Sequence, residues 1–143
     1  MSVGKTTLVN ALKDRAEFKD YTFTTERSKY LRDLGIPLNT DSTLKGQVIF
    51  LAERCSELLQ ENIITDRTVV DVMAFTNLSK SMSSSESDKY YDLASKLVGD
   101  YDYIFYISPE GVDMEDNGVR ETDIDYRAAV NTEIKSILSF NKG

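Results

Sequence analysis

The sequence predicts a layered α/β domain with a mainly parallel sheet. Short runs rich in β-branched and aromatic residues, 21–24, 62–65 and 102–107, alternate with longer segments of helical periodicity. Strands that alternate with helices are typical of parallel sheets covered by helices. A length of 143 residues fits one domain over 1–143.

The first half of the chain is predicted to begin as helix, strand and helix. A helical pattern follows the opening MSVGKTT. Residues 21–24 alternate aromatic and hydroxyl side chains, as a strand does. Residues 26–34 indicate a helix that a Gly-x-Pro stop ends. The apolar face of the first helix is expected to hold Leu8, Ala11 and Leu12.

The clearest predicted element is a long helix that runs through residue 60. Its start can be capped by Thr40, Asp41 or Ser42. One apolar stripe at helical spacing, expected to face the core, holds Leu44, Val48, Leu51, Ala52, Cys55, Leu58 and Leu59.

The second half is predicted to contain a buried strand, a helix, a polar loop, a helix, a strand and a last helix. These elements cover residues 62–65, 68–78, 79–87, 88–98, 102–107 and 123–138. The sequence DYIFYI at 102–107 has the strongest β pattern of the chain. The last helix is expected to place Ile124, Ala128, Ile134 and Leu138 on its apolar side.

Composition excludes several classes of function. A net charge of −7 argues against a nucleic-acid polymer as partner. The chain has no histidine, which excludes histidine-based catalysis and His-ligated metals, and Cys55 cannot form an internal disulfide. No apolar run reaches membrane-spanning length, so no membrane association is expected. A single cysteine favours a reducing compartment, and we expect a cytoplasmic location.

Gly4-Lys5-Thr6 has the form of the end of a phosphate-binding loop. Gly4 lets the backbone approach a phosphate, Lys5 neutralises charge, and Thr6 supplies a hydroxyl to Mg²⁺. The neighbouring Val3 and Thr7 are expected to contribute to the same nucleotide site. The tripeptide alone favours a solvated helix start, because the first glycine and the preceding strand of the full motif are absent. Its chain position and the helical pattern directly after it favour the phosphate loop instead.

Acidic residues follow two predicted strands, at the end of a sheet where ligands bind in α/β folds. Asp66 could hold Mg²⁺ through water or orient an acceptor, and Arg67 could contact a phosphate or lock the site. Glu26 could act as general base. Each has an alternative interpretation: Asp66 as a helix cap beside a solvated arginine, and Glu26 as an ordinary first-turn residue.

Two arginines flank the start of the last predicted helix. Arg120 follows an acidic, glycine-containing loop, and Arg127 lies within the helix. A mobile arginine that closes on transferring phosphate would stabilise the charge of the transition state. We expect a lid-like region over 109–127, although an ion pair between Arg120 and Asp116 or Asp123 is the ordinary alternative.

In this order the segments resemble the P-loop nucleoside and nucleotide kinases. The closest likeness is to the NadR-like group, which has an AAA-type ATP-binding domain. The type activity of that group is nicotinamide riboside phosphorylation. SVGKTTLVNAL is similar to the family's phosphate loop and first helix. TTERSKYLRDLG, IITDRTVVDVMAF and YDYIFYISPE are similar to later segments, with Lys29 in place of a usual arginine. The resemblance implies a three-layer P-loop fold and transfer of phosphate from ATP·Mg²⁺ to a small acceptor, with Lys5, Thr6, Arg120 and Arg127 on the phosphates.

The chain departs from the family at both ends. The first strand, the start of the phosphate loop and the last strand are expected to be missing, so we expect a truncated member. Other interpretations are a non-catalytic nucleotide-binding remnant, a GTPase-like switch and a mechanical ATPase. No Asp-x-x-Gly occurs, which counts against the switch, and no hydrophobic strand ends in Asp-Glu, which counts against the mechanical ATPase.

Overall fold

The structure, a computed structural model, describes residues 5–24, 33–37, 39–108 and 121–140. Five helices in this part are α1 (Lys5–Lys13), α2 (Leu44–Leu58), α3 (Val69–Asn77), α4 (Ser84–Ser95) and α5 (Glu121–Phe140). Two strands are β1 (Thr22–Thr24) and β2 (Ile63–Thr65), and short 3-10 turns cover Ala16–Phe18, Asn39–Asp41 and Val98–Asp100.

The two strands pair in parallel. Thr22 lies opposite Ile63 and Thr24 lies opposite Thr65. Parallel neighbours need a crossover connection, and α2 forms much of it. The predicted α/β class with a parallel sheet is therefore confirmed for the described strands. The three-layer arrangement remains a prediction.

The core is built around α3, which packs against α2, α4 and α5. Val69, Met73 and Ala74 of α3 are fully buried. The last helix contributes Val130 and Ile137, seven residues apart and hence on one face. Removal of these apolar side chains from water is the main force that holds the helices together.

Capping side chains set where the helices begin. Thr68 caps α3 in a capping box with Asp71. Ser83 and Glu86 form the same motif at α4, so this helix begins at Ser84, earlier than the predicted residue 88. Thr43, rather than the three residues before it, caps α2 by accepting a hydrogen bond from the Gly46 backbone.

The predicted inward stripe of α2 is wrong in part. Leu51 is buried, but Val48 is 49% exposed and Leu59 is 88% exposed. A Cβ at Gly46 would lie 2.8 Å from the Ile36 side chain, so the chain approaches the helix closely there. The helix therefore has another face inward than the predicted one, and the buried residues of α2 are Gly46, Gln47, Leu51, Arg54 and Glu57.

Two other predicted apolar faces also need correction. In α1 the buried residue is Val9, whereas Leu8 is 43% exposed and Ala11 is exposed. In α5 Ala128 is exposed, because the buried face runs through Val130 and Ile137 instead. The side chain of Ile124 lies outside the described residues.

The strand predicted at 102–107 does not form. The segment is described throughout, but the described part of the chain contains only the β1–β2 sheet. Tyr103 and Phe105 are 81% and 79% exposed, and their rings stack at 6.3 Å. An extended segment becomes a strand only beside a hydrogen-bonded neighbour, so strong β propensity alone did not suffice here.

Two further features bear on the predicted elements. Gly35 has φ +82°, a left-handed conformation that suits the predicted helix stop. Most of the helix predicted over 26–34 lies outside the described residues. Within the described ranges, no helix is both long enough and apolar enough to cross a membrane.

Candidate functional site at the carboxyl end of the sheet

The carboxyl ends of β1 and β2 lie side by side. The Asp66 backbone N–H donates to the Thr24 carbonyl at 3.2 Å, which extends the ladder one step past β2. Asp66 and Arg67 follow directly, and both are buried. The structure thus places this predicted pair at the edge of the sheet where ligands bind in α/β folds.

A buried glutamate from α2 joins this edge. Glu57 accepts a hydrogen bond of 2.5 Å from the Thr24 hydroxyl and forms an ion pair of 2.8 Å with Arg54 Nε. The side chains of Arg54 and Glu57 are only 8% and 9% exposed. Sequence reasoning missed this pair because α2 was assigned an apolar inward face. The sequence did contain a signal for this pair. Arg54 follows Leu51 by three residues, so the two share a helix face, and the face of Leu51 is predicted to be buried.

The electrostatics of Glu57 show that a second carboxylate is near. Burial raises the pKa of Glu57 above its ordinary value of 4.5. The Thr24 hydrogen bond and the Arg54 charge lower this pKa, whereas the Asp66 charge raises it. Two carboxylates and one arginine therefore interact at the carboxyl edge. Such a group can orient a hydroxyl or hold the water shell of a divalent ion.

Arg67 is held against α3. Its Nη1 lies 3.4 Å from Asp71 Oδ1, and its guanidinium lies 5.6 Å from the centre of the Phe75 ring. The Thr65 hydroxyl donates to the Arg67 carbonyl at 2.6 Å. These contacts fix the turn that follows β2; whether Arg67 contacts a phosphate or locks the site stays a prediction.

Tyr101 attaches the later part of the chain to the same region. Its hydroxyl accepts a hydrogen bond of 3.1 Å from the Val69 backbone at the start of α3. Burial raises the pKa of Tyr101 to about 12, so the phenol stays protonated at neutral pH. Sequence reasoning assigned Tyr101 no role.

The other predicted site residues are only partly described. Val3, Gly4, Glu26 and Arg120 lie outside the described residues. Lys5 and Thr6 are the first residues of α1, but their side chains are not described. Thr7 is exposed, and Arg127 is half-buried on α5. The proximity of these residues to Asp66 therefore stays a prediction.

The metal site predicted at Thr6 and Asp66 stays a prediction, because the Thr6 side chain lies outside the described residues. No group of three or more Cys, Asp or Glu side chains that could hold a metal is present in the described part of the chain. Mg²⁺ keeps several waters and is usually held by one or two protein groups together with substrate phosphates.

A family model described as AAA domain matches residues 1–140. The chain belongs to this AAA domain family. The match covers nearly the whole chain and supports nucleotide binding and ATP binding. Neither the curated proteins nor the solved structures contain a match to this AAA domain.

Proposed function

We propose that this AAA domain binds ATP·Mg²⁺ at the start of α1 and transfers the γ-phosphoryl group to a small acceptor, a nucleoside or nucleotide. Family membership supports the nucleotide site. The first residue of α1 is Lys5, so the Gly-Lys-Thr segment spans a helix N-terminus, where free backbone N–H groups favour phosphate.

The observation that carries the acceptor half of the proposal is the carboxyl edge of the sheet. Asp66 is buried beside the end of β1, and Glu26 follows Thr24 by two residues. An acceptor hydroxyl placed there would attack the γ-phosphorus while the bond to the ADP oxygen breaks. The hydroxyl proton would pass to Glu26, with Asp66 orienting the acceptor or the metal-bound water.

The remaining residues have positioning and charge roles. Lys5 would neutralise the β- and γ-phosphates, and Thr6 would hold Mg²⁺, which itself offsets phosphate charge when bound. Arg120 and Arg127 would close on the transferring group, where they stabilise developing charge. Val3, Gly4 and Thr7 would complete the phosphate loop, and Arg67 would lock the turn after β2.

Incubation with γ-labelled ATP, Mg²⁺ and a panel of nucleosides and nucleotides, nicotinamide riboside included, tests this proposal. We expect label on one acceptor class, and Glu26→Gln should reduce transfer about 100- to 10,000-fold. Glu17→Gln, at an exposed glutamate outside the proposed site, is the matched control and should leave transfer unchanged. Absence of transfer to every acceptor would contradict the kinase proposal.

A non-catalytic nucleotide-binding domain is the second candidate. The lack of a strand at 102–107 favours it, because the sheet within the described residues then has only two strands, which offer little support for a closing lid. In that case ATP would bind without transfer to any acceptor, and neither Glu26→Gln nor Glu17→Gln would change ATP binding.

A further inference from the structure

The outward faces of α2 and α4 form an apolar surface with a groove between them. Leu44 and Val48 of α2 and Leu93 of α4 are 36%, 49% and 57% exposed. The groove has a volume of about 320 Å³. We call this surface the α2–α4 face, and its lining residues are Leu44, Val48, Ser85, Glu86, Lys89, Tyr90 and Leu93.

The α2–α4 face exists because α2 has polar residues inside and apolar residues outside. Gln47, Arg54 and Glu57 are buried, whereas Leu44, Val48 and Ala52 point outward at four-residue spacing. Four-residue spacing forms a ridge along a helix. Apolar ridges of this kind beside a groove mark interaction surfaces on soluble proteins.

The α2–α4 face is complementary to itself. It carries both an apolar ridge and a groove that a ridge can fill. Its lining contains one acid and one base, Glu86 and Lys89, although the whole chain carries a net charge of −7. In a two-fold interface, the acid of one copy can lie against the base of the other copy, and the reverse. A face with balanced charges can therefore pack against a second copy of itself without repulsion.

From these features we propose that the α2–α4 face is the interface of a two-fold dimer of this chain. The ridge of each copy covers the groove of the other, and Lys89 of each copy faces the partner's Glu86. The 15-residue α2 is about 22 Å long, and two adjacent helices are about 20 Å wide, which gives roughly 450 Å² a copy. The total for two copies, roughly 900 Å², is below the roughly 1,200 Å² at which stable interfaces begin, so the dimer should be weak and depend on concentration.

Sedimentation velocity from about 10 to 500 μM, a range that spans the dissociation constant of a weak dimer, tests the proposal. We expect a reversible monomer–dimer equilibrium. Val48→Asp and Leu93→Asp should each weaken it about tenfold or more, because each buries an unpaired charge. Phe140→Asp is the matched control: it also replaces an exposed large apolar residue, 83% exposed on α5, and should leave the equilibrium unchanged.

A mixing experiment identifies the second copy as the occupant. Lys89→Glu alone and Glu86→Lys alone should both be monomeric, because each places like charges opposite each other twice. Mixed in equal amounts, the two variants should form a heterodimer with opposite charges in every pair. Glu86 also caps α4, so thermal unfolding of each variant must first show a folded monomer.

Three results would each overturn the proposal. The first is a wild-type chain that stays monomeric over the whole range. The second is a dimer that withstands Val48→Asp and Leu93→Asp. The third is a pair of charge variants that fail to associate on mixing. These measurements need no nucleotide, so their outcome is separate from that of the kinase assay.

Discussion

Replacing Arg54 with methionine removes the cation that neutralises Glu57 and keeps the side-chain length. The ion pair is 2.8 Å long, and both side chains are more than nine-tenths buried. At an effective dielectric constant of 20, two charges at this distance attract by about 6 kcal/mol before desolvation is subtracted. Loss of one partner of a buried pair typically costs about 3–5 kcal/mol, because the other charge stays buried. A domain of this kind has a total stability of about 5–15 kcal/mol.

Urea denaturation, with the free energy of unfolding extrapolated to water, measures this cost. We expect Arg54→Met to lose about 3–5 kcal/mol, and Arg54→Met with Glu57→Gln to recover most of it. The glutamine can still accept the Thr24 hydrogen bond but carries no charge. Arg15→Met breaks an exposed ion pair of 3.3 Å with Glu17 and should cost less than about 1 kcal/mol.

The loss should also depend on pH. Burial raises the pKa of Glu57 above 4.5, and without the Arg54 charge that pKa rises further. The native state then binds the proton more tightly than the unfolded state, so its stability is greatest below pH 4.5 and falls as pH rises through the native pKa. The deficit of Arg54→Met should therefore be larger at pH 7 than at pH 4.5. A deficit under about 1 kcal/mol, or one that is equal at both pH values, would refute this reasoning.

Two further predictions concern the frame of the site. Met73→Ala empties a fully buried position of α3 and should cost about 2–5 kcal/mol in urea denaturation, whereas Leu59→Ala, at an 88% exposed residue, should change stability by less than about 0.5 kcal/mol. Gly35→Ala places a side chain at φ +82° and should lower the melting temperature, by about 2–4 °C for each kcal/mol lost. Gly99→Ala, with no atom within 4 Å of the added Cβ and no positive φ, is its control; equal melting temperatures for both would contradict the strain argument.

The two parallel strands could be predicted from the sequence because each segment with a local β pattern also has a neighbouring strand to pair with in the fold. The NIIT run at 62–65 and the residues at 21–24 are β-branched or aromatic and end at polar residues, and both form strands. The placement of Asp66 after β2 followed from this directly. At 102–107 the local signal was stronger still, but a strand also needs a neighbour, which no local pattern reveals.

The buried polar contacts of the site could not be predicted from periodicity. An apolar stripe and a polar stripe of α2 both have helical spacing, so the pattern alone left open which one faces inward. Contacts from outside the helix distinguish the two faces: Ile36 lies close to Gly46, ten residues later in the chain. Glu57 then meets Thr24, 33 residues earlier in the chain. In a helix with two candidate inward faces, the charged residues are themselves candidates for burial, and the sequence shows them.

Calorimetric titration of the chain with ATP and Mg²⁺ tests the central claim most directly. The account predicts saturable binding that Lys5→Ala abolishes and that Lys13→Ala, at the last residue of the same helix, leaves unchanged. Binding of ATP that is equally strong in wild type and Lys5→Ala, or no binding to the wild-type chain, would contradict a phosphate site at the start of α1.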